Sequence, residues 1–378
     1  MKGSFFVSVL IVAGTRPEII KLLPVALAMR ERRGDAMRFC HSGQHAEMGR
    51  DLLDAAGILP EEALDRPAGN DIGRLLSGMI TTIGAAIDRQ DPKAVVVQGD
   101  TATTLAASLA AYHRHIPIAH VEAGLRSGNL ARPWPEEGYR RMVTPITRWH
   151  FAPTEAAATA LRCENVAEGA IETVGNTVID ALHWACARLD ADSALGTAAG
   201  SLIEGAQGRP IVLATVHRRE ADETAMRRIA AGLLSLVESE GVQLILPLHP
   251  RSESAPLRER LGGVPRVTLT DPLDYFAFVR LMRAARLIVS DSGGIQEEAT
   301  ALGRPVLVLR DVTERREAIA AGSARLVGYD AEALLAGARW ELSRPMPTPS
   351  TVFGDGRAAG RIADRILNDI SGDLNLAP

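Results

Sequence analysis

Short apolar runs alternate with stretches of helical period along the whole chain. In the first half, the runs at 5–13, 37–42, 94–98, 116–121 and 150–152 read as strands, with helices at 17–32, 46–56, 71–89 and 103–113 between them. The second half repeats the scheme, with strands at 210–215, 243–247, 267–270, 287–289 and 305–309. Strands that are apolar throughout are buried on both faces, and strand–helix–strand alternation favours parallel sheets. The pattern therefore predicts an α/β fold of two Rossmann-like, doubly wound domains facing a central cleft. The N-terminal domain is expected over 1–175 and the C-terminal domain over 176–359. A helix at 177–190 leads across and 193–208 forms a loop-rich entry, while the last helix, within 360–378, is expected to pack back on the first domain. Ligands of open α/β sheets bind beyond the carboxyl ends of the strands, so polar motifs at those ends mark the expected site.

With 378 residues, two domains are the default, and 46% hydrophobic with 23% charged residues is an ordinary globular composition. The net charge of −4 leaves no basic footprint for nucleic acid. Cys40, Cys163 and Cys186 are far apart, without metal spacing, and fit a reducing compartment. Lys2 followed by the run 5–13 superficially resembles a signal peptide, but it leads into Gly14-Thr15-Arg16-Pro17 without a small-residue cleavage pattern. No run has the length to span a bilayer. A cytoplasmic protein with no membrane partner is expected.

Several strand ends carry chemistry. Ser290-Asp291-Ser292-Gly293-Gly294 follows the apolar run 287–289 and opens a helix, which makes an anion site from backbone N–H groups and the helix dipole. Two glycines there would let the backbone turn its N–H groups inward, and Glu297 and Glu298 could accept hydrogen bonds from sugar hydroxyls. A phosphorylated sugar or nucleotide is the implied ligand. Gly14-Thr15-Arg16-Pro17 starts a helix in which Pro17 suits the first turn, Arg16 could hold a phosphate and Lys21 follows one turn later. Asp100 is either a helix N-cap or a catalytic carboxylate. With Glu122 at the next strand end and Glu136 after a short loop, it could converge beside one cleft as a set of acidic groups suited to general acid–base work. His217 and His249 end two strands of the second half, where either could contact phosphate, move a proton or cap a helix. There is no Gly-x-Gly-x-x-Gly after a strand, no P-loop, no zinc spacing and no Gly-x-Ser-x-Gly, so no metal and no redox cofactor is implied.

The set of motifs resembles the non-hydrolysing UDP-N-acetylglucosamine 2-epimerase family. The matching segments are GTRPEIIK (14–21), GQHAEM (43–48), QGDTATTLAASLAA (98–111), HVEAGLRSG (120–128), PWPEE (133–137), VGNTVIDAL (174–182), HRRE (217–220), SDSGGIQEEA (290–299), PVLVLRDVTER (305–315) and GDGRA (354–358). They occur in family order and cover nearly the whole chain. The resemblance implies a GT-B-like fold, a UDP-sugar substrate, a homodimer and no cofactor. It also implies reversible conversion of UDP-GlcNAc to UDP-ManNAc, through elimination of UDP to 2-acetamidoglucal and its re-addition. By resemblance, Arg16, His217, Ser292, Gly293 and Gly294 surround the phosphates, with Arg315 a further substrate-binding residue. Glu298 matches a residue holding the ribose, and Phe278 a ring near the uracil. Asp100, Glu122 and Glu136 match the acid–base carboxylates, and Lys21 is a site residue without an assigned role. Gln44, His45 and Glu47 match part of a regulatory region, although an arginine often found near Gly69 is absent.

The chain departs from the family pattern at Val216, at Ala221-Asp222-Glu223, at His249-Pro250-Arg251-Ser252, at Arg316 and at Val352-Phe353. These changes bear on the identity of the UDP-sugar, and a 2,3-diacetamido uronic acid could use Arg251 or Arg316. The hydrolysing relative that releases ManNAc and UDP, a GT-B glycosyltransferase and a silent nucleotide-sugar sensor are the other readings.

Overall fold

The computed structural model describes residues 8–34, 36–44, 49–67, 71–216, 222–248 and 254–375. Two compact units divide it, one of Met1–Ala181 with Gly354–Pro378 and one of Leu182–Phe353.

In the first unit, β1 (Val9–Ala13), β2 (Met37–His41), β3 (Glu62–Ala63), β4 (Ala94–Gln98), β5 (Ile118–Val121), β6 (Trp149–Ala152) and β7 (Ile171–Thr173) form one sheet. Its order is β3-β2-β1-β4-β5-β6-β7, and its pairings are parallel. The helices between them are α1 (Arg16–Arg32), α2 (Arg50–Ala55), α3 (Ile72–Gln90), α4 (Ala102–Tyr112), α5 (Glu136–Val143) and α6 (Glu155–Cys163). The unit boundary falls inside α7 (Thr177–Ala191).

In the second unit, β8 (Ile211–Thr215), β9 (Gln243–Pro247), β10 (Val267–Thr270), β11 (Leu287–Ser290), β12 (Val306–Val308) and β13 (Ala324–Leu326) take the parallel order β10-β9-β8-β11-β12-β13. Its helices are α8 (Thr197–Gly205), α9 (Glu223–Glu240), α10 (Ala255–Leu261), α11 (Tyr275–Ala284), α12 (Gly293–Ala301), α13 (Arg316–Ala320) and α14 (Ala331–Ser343). Then α15 (Ala358–Asn375) returns to the first unit.

Every residue of β1, β4, β8 and β9 is buried, as expected of strands covered on both faces. Leu10, Val12, Val95 and Val97 pack with Ile83 and Leu105 in the first core. Val212, Ala214, Leu244 and Leu246 pack with Leu233 and Leu334 in the second. α15 lies on α1, where Arg32 forks onto Asp364 at 2.5 and 3.0 Å. The Trp149 indole N–H also donates to Asp369 at 2.8 Å. Among the described residues, no helix is long and apolar enough to cross a membrane.

Strand order reverses between β1 and β4 in the first sheet and between β8 and β11 in the second. The carboxyl ends of those strands are where a crevice opens in this class of sheet. Two local expectations fail. The segment read as loop-rich at 193–208 contains α8, whose Thr-Ala-Ala-Gly start lacks the apolar period that would announce a helix. The helix read over 46–56 begins at Arg50, because Gly49 sits at φ 85° as a left-handed cap, while 46–48 lie outside the described residues.

Candidate active site

At the end of β1, Thr15 and Glu18 form a reciprocal cap on α1, with Pro17 in its first turn. Glu18 is fully buried and accepts from Gly14 N at 3.0 Å, Thr15 N at 2.8 Å and Thr101 Oγ1 at 2.5 Å. It therefore ties the turn after β1 to the turn after β4, and burial raises its carboxyl pKa. Gly14 has no room for a side chain, since a Cβ there would lie 1.8 Å from Ser42 Oγ and 2.6 Å from Thr103 Oγ1. Gln44 joins the same knot, its Oε1 accepting from Thr103 Oγ1 at 2.7 Å. His45 and Glu47 lie outside the described residues.

Lys21, one turn into α1, meets both carboxylate oxygens of Glu122 at 2.6 Å. The side chains are 13% and 5% exposed, so this pair is shielded from solvent. Gln98 Nε2 also donates to Glu122, and Asn176 Nδ2 does so at 3.1 Å. Glu122 holds φ at 63°, the left-handed region that costs a side-chain-bearing residue on the order of 1–2 kcal/mol. A strained backbone with three donors on its carboxylate places that group tightly.

Asp100 follows Gly99 after β4 and pairs with Arg140 of α5 at 2.5 Å. The other side of the Arg140 fork meets Glu137 at 3.2 Å. Burial opposes the charge on Arg140, but Asp100, Glu122 and Glu137 outweigh it and raise its pKa. Glu137 has no exposed surface; burial pushes its carboxyl up, yet the Ser127 N–H at 2.9 Å and Arg140 and Arg141 hold it below the usual range. Its neighbour Glu136, first residue of α5, has a buried Oε2 that accepts from no described residue. Behind the cluster, His120 Nε2 meets the Gly99 carbonyl at 2.7 Å, and burial lowers its pKa to about 4. At neutral pH this imidazole is uncharged.

The second unit presents a different surface. Ser290 Oγ contacts Thr215 Oγ1 at 2.8 Å and accepts from Ser292 N at 3.0 Å, fixing the turn from β11 into α12. Ser292 is the N-cap but makes no side-chain cap bond. Gly293 and Gly294 do not have positive φ; they are the first helical residues, which corrects the expectation that their freedom turns the backbone. Gly293 instead leaves space for Arg315, whose Cζ would lie 3.0 Å from a Cβ there. Arg315 Nε is held by Glu297 at 2.8 Å, so a guanidinium sits against the positive end of α12. A cation and helix-terminal amides at one spot attract an anion.

Glu298 is buried and accepts from the Tyr275 hydroxyl at 2.9 Å. Half-buried Phe278 follows Tyr275 by one turn of α11. Arg310 grips Glu314 at 2.9 and 3.2 Å; burial alone would raise that carboxyl, but Arg310 and Arg315 hold it at about 2. A cavity of about 500 Å³ in this unit is lined by Arg228, Tyr329 and, from the 305–315 motif, Arg310 and Asp311, among others; none of the expected catalytic or substrate-binding residues lines it.

The structure thus joins Lys21 to Glu122, brings Asp100 to the Arg140 fork that also feels Glu122, and joins Gly293 to Arg315. Arg16 is half-exposed at the start of α1. His217, with 218–221 and 249–253, lies outside the described residues. Glu18, Gln98, Arg140, Asn176 and Tyr275 emerge only in three dimensions. Glu18, Gln98 and Asn176 lie inside motifs read above, Arg140 and Tyr275 in none, and the partners Thr101, Glu122, Asp100 and Glu298 sit many residues away.

A family model described as UDP-N-acetylglucosamine 2-epimerase matches residues 28–367. A relative from Ralstonia nicotianae named "Probable UDP-N-acetylglucosamine 2-epimerase" is 42% identical over 367 residues, covering 95% of this chain and 98% of its own length. The crystal structure of UDP-GlcNAc 2-epimerase from Neisseria meningitidis bound to UDP-GlcNAc superposes with a TM-score of 0.88 at 35% identity, covering 96% of this chain and 100% of that one. The Methanocaldococcus jannaschii UDP-GlcNAc 2-epimerase in complex with UDP-GlcNAc and UDP gives 0.84 at 32% identity, covering 96% and 99%. These neighbours share the GT-B-like α/β fold.

Proposed function

The chain belongs to the UDP-N-acetylglucosamine 2-epimerase family, and from that premise we propose that it interconverts UDP-GlcNAc and UDP-ManNAc without net hydrolysis. A first-unit carboxylate takes the C2 proton. The C2–H electrons form the C1=C2 double bond, the C1–O bond breaks, and its electron pair leaves on UDP. The intermediate is 2-acetamidoglucal. In the second half-reaction a UDP oxygen adds to C1, and a proton is delivered to C2 from the opposite face. The two units divide this labour, save that Arg16 of the first joins the diphosphate contacts. Asp100, Glu122 and Glu136 exchange protons, with Lys21 and Arg140 holding the first two in place. Ser292, Gly293, Gly294 and Arg315, with Arg16 and His217, take the diphosphate; Glu298 takes the ribose and Phe278 the uracil. Preorganised donors at the departing diphosphate stabilise the charge that builds there. The reading also includes a cytoplasmic homodimer, with Gln44, His45 and Glu47 as regulatory contacts.

The observation that carries the reading is the carboxylate cluster. Glu122 is held by Lys21, Gln98 and Asn176, Asp100 by Arg140, and Glu136 keeps a buried oxygen that no described residue meets. Inversion at one carbon needs proton exchange on two faces, and so more than one such group. An NMR time course of UDP-GlcNAc with the protein in D2O tests it. Deuterium at C2 together with UDP-ManNAc is the expected result. Free ManNAc with an equivalent of UDP would replace the reading by hydrolysis, and an unchanged spectrum would remove UDP-GlcNAc as the substrate.

A further inference from the structure

Arg140, which pairs with Asp100 in the reading above, has further partners of its own. It lies one turn after Glu136 on α5, and its side chain is 12% exposed. Both arms of its fork are engaged, one by Asp100 at 2.5 Å and one by Glu137 at 3.2 Å. Glu137 is anchored in turn by the Ser127 N–H at 2.9 Å. A continuous chain therefore runs from the 126–128 loop through α5 to the end of β4. Asp100 sits where β4 gives way to α4, and α4 packs on α5. An ion pair so shielded is poor evidence of stabilisation, because apolar residues of similar volume often serve a fold as well. What a bidentate guanidinium supplies that they cannot is a fixed distance and angle between two carboxylates.

Resting on the epimerase reading, we propose that Arg140 is a positioning residue for C2 epimerisation: it locks the Asp100 carboxylate at a set separation from Glu136, carried one turn earlier on its own helix. Proton removal and proton return occur on opposite faces of C2, so the spacing of the acid–base groups matters in both half-reactions. Arg140 touches Asp100 and the neighbouring Glu137, and acts through Asp100.

The test compares R140Q, R140K, D100N and the double variant D100N/R140Q with the full-length wild-type protein. Active sites are counted by UDP titration, since Arg140 is not among the proposed UDP contacts, which apart from Arg16 lie in the other unit. For R140Q, kcat should fall on the order of 100-fold while KM for UDP-GlcNAc stays within about 3-fold, the mark of misplaced reacting groups. R140K, which keeps the charge but not the fork, should recover part of that loss. The R140Q change should also cost little more in the D100N background, since the two groups act as one unit. UDP and 2-acetamidoglucal released per turnover should rise in R140Q, because re-addition needs the same alignment.

If R140Q does not fold, R140K decides by the same kcat and KM readings. Variants that bind UDP normally and turn over at the wild-type rate overturn the proposal, as does a loss confined to KM or full additivity with D100N. A wild-type protein that makes no UDP-ManNAc overturns the epimerase reading and this proposal with it. An active wild type with unaffected variants overturns this proposal alone.

Discussion

The same strand order, reversed at the same topological point, carries opposite chemistry in the two units. At the carboxyl ends of β1, β4 and β5 the first unit gathers Asp100, Glu122 and buried Glu18, held by Lys21, Arg140, threonine hydroxyls and backbone amides. At the ends of β8 and β11 the second unit offers a helix N-terminus with Arg315 drawn against it by Glu297. In the proposed reaction one end holds and exchanges protons and the other holds an anion. The doubly wound sheet supplies only the place; side chains from distant segments decide the charge.

Three measurements would sharpen or break that contrast. The largest effect belongs to Glu122. Replacing it with Gln should lower turnover by roughly 100- to 10,000-fold, the range for an acid–base group, while leaving the dissociation constant for UDP near wild type. A matching loss of UDP affinity would show that the two units do not divide the work as described.

Next is acid sensitivity confined to the first unit. Burial lowers the pKa of both His120 and His150 from 6.5 to about 4, with His120 adding to the effect on His150. Their folded-state pKa values lie below the unfolded one, so the stability tied to their neutral forms is complete above pH 6.5 and lost as pH falls toward 4. For fully buried His120 alone this is on the order of 3 kcal/mol. Glu18, raised by burial, offsets part of it as it gains a proton. Denaturant unfolding at pH 7.5 and pH 5 should show the first unit weakening more than the second, and His120→Gln should flatten that difference. Equal weakening of both units would count against the assignment.

The smallest effect is at Tyr275. Its hydroxyl holds Glu298, and Tyr275→Phe removes one hydrogen bond worth about 1 kcal/mol. UDP affinity should fall by roughly fivefold with kcat little changed. No change in affinity, measured by calorimetry, would take Glu298 out of the nucleotide contacts.

Much of this was legible in the sequence. Val9–Ala13 is apolar throughout, and Ala94–Gln98 is apolar up to its last residue, because both faces are covered, and that announces a parallel sheet. The polar motifs then fall at the strand ends by simple counting. Among the edge strands, Val267–Thr270 was legible at its full length and the others were not. Glu62–Ala63, Ile171–Thr173 and Ala324–Leu326 are two or three residues long and partly exposed, too short to show any period. The partners of the carboxylates were hidden for a related reason. Arg140 meets Asp100 forty positions earlier, and Asn176 meets Glu122 from the far side of α6, so no spacing rule links them. The Gly293-Gly294 pair shows the opposite error. The glycines were visible, but the reason for the first is a guanidinium brought from residue 315, and at the second a Cβ would meet nothing within 4 Å.

The left-handed backbone at Glu122 carries a consequence for breeding this protein toward heat resistance. A glycine at that position would relax a strain of about 1–2 kcal/mol but would leave the shielded Lys21 ammonium without its partner, a loss of about 3–5 kcal/mol. A library screened only for survival on heating therefore keeps Glu122 for its ion pair, whatever becomes of turnover. Apolar replacement of Lys21 and Glu122 together escapes that penalty, and only screening for activity after each round guards against it.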